Sequence, residues 1–490
     1  MKVKKFTILH NNDMHGDFLP ETEKEKKEYI GGLALLSGFI QQVRKEEKNV
    51  LYVIAGDMVQ GSLIDSEFKG ISTIEIMNYL SPDVVTLGNH EFDYGLPHLL
   101  FLEKMANFPI VNANLYIKDY FRRLMKPFHV IKKDGYEMLF TGIITDKVMD
   151  SIKMDSLIGS FVSLEEASHE VGKISDVYKN DDIDLTVLLT HIGLESDIAL
   201  AKLLKPEWGV DLIIGGHSHS FMKEPVIENG VIIVSAGTGT NQIGRLDLWI
   251  DDDTNSIVDY KWKLITIESH NVKPDKDLVE FIGKFKTQVD RKYNTVLCKF
   301  KSALTNPKRQ IETDLGDFIA DALAEMGQID VMLVGSGSIR SLSLGPTITL
   351  ADLMACFPYD DAITKFDITG ELLKKVFLHI MRNSNRNDEG ECYQVNSTIK
   401  ATHNDKTDTL KSLQYNDKPV EDDDIVSLGL QGFHIKNCKE YLGITYEELM
   451  AGGKSIVVTT SAFEHIKEYV RNHQNFTLTG DTVKSRLVYL

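Results

Sequence analysis

Short apolar runs recur through the first half of the chain: FTILH (6–10), VLYVIAG (50–56), VVTLG (84–88), LTVLLT (185–190) and LIIGG (212–216). They are rich in β-branched residues and leucine and are bounded by Gly, Asp or His. Such runs predict strands buried on both faces. Between them the apolar spacing turns helical. In LALLSGFIQQVRKEEK, Leu36, Ile40 and Val43 share one stripe. Strands alternating with helices predict an α/β fold. VIIVSAG (231–237), GRLDLWID (244–251) and VDYKWKLITI (258–267) are predicted to close this half as an antiparallel run, with DDDTN (251–255) as a turn.

After Pro274, the segment DKDLVEFIGKFKTQVDRKYN places Leu278, Ile282, Phe285 and Val289 on one helical face. At 490 residues the chain is too long for one ordinary core. This helix is therefore expected to join two domains, residues 1–270 and 298–490, with 271–297 between them. The second half alternates again, with predicted strands at DVMLVGSG (330–337) and AITKFDI (362–368). A helix follows at GELLKKVFLHIM, with Thr369 as N-cap. RNSNRNDEGE (382–391) reads as a polar loop, and no internal repeat is evident.

Composition narrows the function. Hydrophobic residues make up 42% and charged residues 26%, ordinary globular usage. The formal charge of −18 repels a phosphate backbone, so non-specific nucleic-acid binding is not expected. A small anionic substrate remains compatible where metals or local arginines offset the field. No apolar run approaches the roughly 18 residues of a membrane span, and no membrane association is expected. The basic start MKVKK is followed by an apolar stretch ending at Leu9, too short for a secretory signal. The expected location is cytoplasmic, or secreted if a signal was removed before residue 1. The cysteines Cys298, Cys356, Cys392 and Cys438 form no CxxC pair and no disulfide framework, which fits a reducing compartment.

Five polar clusters each follow a predicted buried strand. They are Asp13 and His15 in HNNDMHG, Asp57 in AGDMVQGS, Asn89, His90 and Asp93 in GNHEFDYG, His191 in LTHIG, and His217 and His219 in GGHSHS. In α/β sheets the carboxyl ends of strands converge on one crevice, so ligands distant in sequence meet there. A single HxH or GD pair, taken alone, reads as a capped turn or a satisfied surface histidine. GNHEFDYG alone already points to a site, because it puts an amide, an imidazole and two carboxylates within five residues of a strand end. All five in order argue for a site. Imidazole and carboxylate ligands without cysteine suit Zn, Mn, Fe or Co and argue against a purely structural zinc.

These five blocks resemble the calcineurin-like metallophosphoesterases. The run HNNDMHG, GDMVQGS, GNHEFDYG, THIG, GGHSH resembles, within them, the 5′-nucleotidase / 2′,3′-cyclic-nucleotide phosphodiesterase / UDP-sugar hydrolase group. The resemblance implies an αββα-sandwich metallophosphatase domain followed by a smaller α/β substrate-binding domain. It also implies two divalent ions. Asp13, His15, Asp57 and His219 would hold one, and Asn89, His191 and His217 the other, with Asp57 bridging. His90 would be the catalytic histidine and Asp93 would hold its ring. Metal-bound hydroxide would attack a phosphate monoester, most consistently that of a 5′-nucleotide. Cyclic nucleotides, UDP-sugars and dinucleotide polyphosphates are the rival substrates, and a nucleotide-binding protein without catalysis is a third reading.

The resemblance continues into the second half. RQIETDLGDFIADAL (309–323) resembles the segment that opens the substrate domain, with Arg309 just before a helix. VGSGSIR ends in Arg340, where the family has a glycine-rich turn followed by Arg. In PYDD (358–361), Tyr359 would stack on a nucleobase and Asp361 stands where the family has Asn; Phe433 is the candidate partner aromatic. Arg340 equally reads as a surface cation and Tyr359 as a core residue. The turn has become GSGS, and the usual glycine-containing loop reads QVNSTIK (394–400). Phosphoesterase chemistry is expected to be intact, while base or leaving-group specificity is expected to have drifted.

Overall fold

A computed structural model describes residues 3–23, 28–117, 122–145, 163–178, 181–386, 391–477 and 485–490. Part of the polar loop read at 382–391 lies outside the described residues. The chain divides into two compact units, Met1–Val289 and Asp290–Leu490. Most of the helix Lys276–Tyr293 thus belongs to the first unit. There it buries Leu278 and Ile282 and sets Phe285 against Phe68.

The first unit is built on two six-stranded sheets. One runs in the order Ser256–Thr266, Gln242–Asp251, Val3–Asn11, Val50–Ala55, Val84–Thr86, Ile110–Val111. The other runs Val226–Glu228, Val231–Val234, Leu212–Gly215, Leu185–His191, Tyr136–Ile144, Phe128–Lys133. Their facing sides share one core: Phe6, Ile8, Leu51 and Val53 pack with Val187, Leu189 and Ile214. The alternate residues Leu188 and Ile213 face the other way, against Val171 and Ile174 of helix Leu164–Val177 and Leu200 of helix Leu194–Leu203. Helix Leu33–Glu46 lies against Val50–Ala55 on the first sheet and buries Leu36, Ile40 and Val43. Strands apolar on both faces are what a layer covered on both sides requires, so the αββα sandwich follows from the unbroken apolar runs.

One expectation is corrected. Gln242–Asp251 and Ser256–Thr266 do pair antiparallel. Val231–Val234, however, belongs to the other sheet and runs parallel to Leu212–Gly215. The chain crosses between sheets just after it, where Asn12 Oδ1 accepts the Ala236 amide at 2.9 Å and Gly237 takes a φ of 84°. A fully buried strand carries no pattern that names its partner. Tyr136–Ile144, next to Leu185–His191 in the second sheet, is a strand that the sequence reading does not identify.

The second unit has a five-stranded sheet in the order Tyr393–Val395, Val331–Gly335, Ile425–Gln431, Ile363–Thr369, Ile456–Thr459. Val331 and Leu333 face a cluster containing Leu373 and Phe377 of helix Gly370–Ile380. Met332 and Val334 face Phe318 and Leu323 of helix Asp314–Gly327 and Ile466 of helix Ala462–Asn472. The two-residue period of the strand thus feeds two cores at once. Thr369 caps its helix as expected, accepting the Leu372 amide at 3.2 Å.

Candidate metal centre

The parallel strands of each sheet deliver their carboxyl ends to one place. Val3–Asn11 leads into Asp13 and His15, Val50–Ala55 into Asp57, and Val84–Thr86 into Asn89 and His90. Leu185–His191 ends on His191 itself, and Leu212–Gly215 leads into His217 and His219. The chain turns sharply at each point. Asp13, His15, Asp57, His217 and His219 all have left-handed backbone, with φ of 50°, 49°, 54°, 79° and 49°. That conformation is unfavourable for residues with a Cβ and clusters at functional sites. The turns also bring backbones into contact. A Cβ on Gly88 would lie 2.2 Å from Asp57 Oδ1, and one on Gly216 would lie 2.6 Å from the Ala55 carbonyl oxygen.

Asp13 is fully buried. Its Oδ2 accepts from Asn12 Nδ2 at 2.6 Å and from the His217 amide at 2.9 Å. Its Oδ1 faces three imidazole Nε2 atoms, those of His219 at 3.3 Å, His191 at 3.8 Å and His15 at 3.9 Å. Asp57 Oδ1 accepts the His90 amide at 2.9 Å, and its Oδ2 lies 3.0 Å from His191 Nε2. Asn89 Oδ1 is 3.0 Å from His217 Nδ1. All seven metal-ligand candidates therefore stand at one end of the sandwich, linked by these contacts.

The protonation pattern fits metal ions. His191 Nδ1 donates to the Ala55 carbonyl at 2.9 Å and His15 Nδ1 to that of Gln60 at 3.1 Å. Each bond leaves Nε2 as the ligating nitrogen, which is how a metal-bound histidine is oriented. His191 Nε2 is buried beside Asp57 without a hydrogen-bond partner. His15 and His219 point their Nε2 atoms at one another, 3.3 Å apart. Lone pairs and carboxylates aimed at one space repel unless a cation lies between them. Three groups, Asp13/His15/His219, Asp13/Asp57/His191 and His15/Asp57/His90, each have ligand atoms close enough to share an ion.

Without an ion, protons take that role. Burial opposes charge on His191, but Asp57 and Asp13 carry its pKa up to about 10. Burial also opposes the Asp57 charge; His191 overrides it and holds that carboxyl below the usual range. Burial pushes His15 and His217 down. His90 differs. Its Nδ1 bonds Asp93 Oδ2 at 2.7 Å, and that bond raises its pKa. The pair sits at the edge of the cluster, with the His90 ring edge-on to His15 at 5.2 Å.

Sequence reasoning does not single out two supporting residues. Glu91 is buried, and its carboxylate accepts the amides of Gly88, Met58 and Asp57 at 2.6, 2.7 and 3.0 Å. It ties the Asp57 turn to the Asn89 turn. Burial, with the Asp57 charge behind it, pushes its pKa up to about 7. Asn12 binds Asp13 and the carbonyl of Gly237 through Nδ2, both at 2.6 Å. Both residues lie inside the ligand motifs, so adjacency to ligands is the available signal.

In the second unit, Tyr359 and Phe433 are each 51% exposed, so neither is a core residue. Asp361 accepts the Ala362 amide at 2.8 Å and the Phe433 amide at 2.9 Å. It fastens the PYDD turn to the start of helix Gly432–Lys436. Both partners are donors, so a carboxylate serves where an amide side chain was expected. Arg340 lies over the Tyr359 ring at 5.7 Å. Arg309 reaches Glu391 at 2.5 Å. Tyr441, also absent from the sequence reading, stands 5.2 Å from Phe433.

Comparisons with known proteins agree with this geometry. Residues 6–221 match the Calcineurin-like phosphoesterase family and residues 287–441 the 5'-nucleotidase, C-terminal domain family. The chain is 27% identical over 427 residues to a 5'-nucleotidase of Vibrio cholerae, covering 76% of this chain and 74% of that protein. It is 25% identical over 417 residues to an apyrase of Tabanus yao, covering 78% and 74%. In fold it is similar to a 5'-nucleotidase precursor from Thermus thermophilus, with a TM-score of 0.63, 22% identity and 99% of each chain covered. Two domain families in this order, over a site built at the strand ends of an αββα sandwich, place the chain in the 5′-nucleotidase family of calcineurin-like metallophosphoesterases, and it is a hydrolase of that type.

Proposed function

We propose that the chain hydrolyses the phosphate monoester of a 5′-nucleotide with the help of two divalent ions. The observation that carries this reading is the convergence of two buried carboxylates, Asp13 and Asp57, with the Nε2 atoms of His15, His191 and His219. Asp13, His15, Asp57 and His219 would hold one ion; Asn89, His191 and His217, with Asp57 shared, would hold the other. When bound, such ions supply positive charge to phosphoryl oxygens and lower the pKa of water.

The chain's own residues do the rest. His90 commits Nδ1 to Asp93, and the same bond favours the charged ring. Its Nε2–H can therefore donate to a phosphoryl oxygen or to the departing alkoxide. Asp93 positions that ring. In the second unit, the exposed faces of Tyr359 and Phe433 suit stacking on a base. Arg309 and Arg340 offer donors to the polar part of the nucleotide, while Asp361 holds the loop that carries Phe433. We take the substrate-binding domain to begin near residue 298, after the joining helix. Four free, buried cysteines support a cytoplasmic location.

The test is a metal-supplemented hydrolysis screen across 5′-mononucleotides, 2′,3′-cyclic nucleotides, nucleotide sugars and dinucleotide polyphosphates. The 5′-mononucleotides should give the highest kcat/KM. A diester or pyrophosphate bond cleaved faster would replace this reading with the rival one.

A further inference from the structure

The glycine-rich turn of the second unit has an unusual neighbour. Glu391 extends beneath Gly335–Ser338, with one carboxylate oxygen on each of two partners. Its Oε1 accepts the Gly337 amide at 2.9 Å, and its Oε2 accepts Arg309 Nη2 at 2.5 Å. The side chain is only 10% exposed, against 45% for Arg309. The turn has glycines where this carboxylate passes. A Cβ on Gly335 would lie 2.3 Å from Glu391 Oε1, and one on Gly337 would lie 3.0 Å from Arg309 Nη2. The carboxylate is thus built in, and the bond to Gly337 aims it.

Glu391 changes the electrostatics of the surface on which the nucleotide reading depends. Arg309 and Arg340 bring two positive charges; Glu391 and Asp361 bring two negative ones. Arg309 is directly paired, and Asp361 stands at the Phe433 amide. Glu391 thus offsets Arg309 directly, and Asp361 adds a negative charge beside Phe433. A surface so offset, with its donors and aromatic faces, can accept an uncharged nucleoside. It offers little to a further phosphate, which must either displace Glu391 from Arg309 or approach a buried carboxylate.

We propose that Glu391 is a specificity-determining residue that biases the enzyme toward nucleoside monophosphates and against substrates bearing a second phosphoryl group. This rests on the nucleotidase reading above and deepens it, since relatives of similar identity carry both names, 5'-nucleotidase and apyrase.

The experiment uses the full chain with added divalent metal and three substrates. These are a nucleoside 5′-monophosphate, the matching 5′-diphosphate and an aryl phosphate. The readout is the ratio of kcat/KM on the diphosphate to that on the monophosphate. Glu391→Gln keeps an acceptor for Gly337 but removes the charge. It should raise the ratio about tenfold, the effect of deleting one partly screened unit charge. In the parent, the ratio should also rise as salt is raised to 1 M, where the Debye length is about 3 Å. An unmoved ratio in a Glu391→Gln variant that melts near the parent temperature overturns the proposal. If that variant does not fold, a salt-independent ratio in the parent overturns it equally. A parent that cleaves the aryl phosphate but neither nucleotide refutes the nucleotidase reading, and this inference with it. A parent active on the monophosphate with an unmoved ratio refutes only the role of Glu391.

Discussion

The two units solve their tasks in opposite ways. In the first, candidate ligands are buried and held by several bonds at once: Asp13 by Asn12 and the His217 amide, the Asp57 turn by Glu91, His191 by the Ala55 carbonyl. In the second, the candidate substrate residues are exposed and few bonds fix them. Tyr359 and Phe433 stand half in solvent, and among the described residues Arg309 reaches Glu391 and Arg340 a ring face. Bond-breaking chemistry needs atoms placed within fractions of an ångström, and only a packed, hydrogen-bonded setting holds them so. Recognition by stacking and charge tolerates looser placement. The first unit should therefore resist change and the second accept it.

That contrast can be broken by substitution. The largest effect is expected at Asp57, the carboxylate proposed to be shared by both ions and a member of two candidate ion groups among the described residues. Asp57→Ala should abolish hydrolysis of every substrate, aryl phosphates included, and elemental analysis should find fewer than the two ions per chain expected of the parent. Full metal content with retained activity would remove Asp57 from the ligand set, and one ion or none in the active parent would end the two-ion reading. Next comes His90→Asn, which should lower kcat by about 10²–10⁴-fold with both ions kept. Because His90 also stands in an ion group with His15 and Asp57, loss of an ion in this variant would reassign it as a ligand.

Smaller effects sharpen the comparison. Glu91→Gln leaves the ligands in place but replaces one acceptor of three converging amides by a donor. Removal of supporting partners of this kind typically costs about 10–100-fold in metal affinity or activity, and calorimetric titration with a divalent ion would read it directly. An unchanged affinity would show that the ligand turns hold without Glu91. Tyr359→Ala should be mildest. Base stacking is worth about 1–3 kcal/mol, so kcat/KM on a 5′-nucleotide should fall by about one to two orders of magnitude, with a much smaller loss on an aryl phosphate. Since the ring is 51% exposed, its melting temperature should barely move. Equal losses on both substrates would mean that Tyr359 supports the fold instead.

Legibility in the sequence follows the same division. The strands and ligands of the first unit can be read because each requirement leaves a local mark: an apolar run, then Gly, then Asp, His or Asn. Pairing between strands leaves none, which is why the apolar pattern assigns Val231–Val234 to the wrong partners. Tyr136–Ile144 escapes notice because no ligand motif follows it to mark its end. Glu91 lies in plain view within GNHEFDYG, yet its bonds go to backbone amides of residues brought close only by folding. In the second unit the marks are weaker still. The pairing of Arg309 with Glu391 spans 82 positions, and no spacing rule announces it.

The strand Val3–Asn11 lies in the middle of its sheet, between Val50–Ala55 and Gln242–Asp251. During synthesis its two neighbours emerge far apart in time. Pairing with Val50–Ala55 can begin early, but the other edge stays open until residue 251 has left the ribosome. An open, apolar edge is a template for joining other chains, and Lys4 and Lys5 at the head of this strand are the charges that discourage it. His217 and His219 also arrive late, long after Asp13 and His15. The nascent chain thus carries only part of its centre until residue 219 has emerged, and the centre is complete only when the first unit can close.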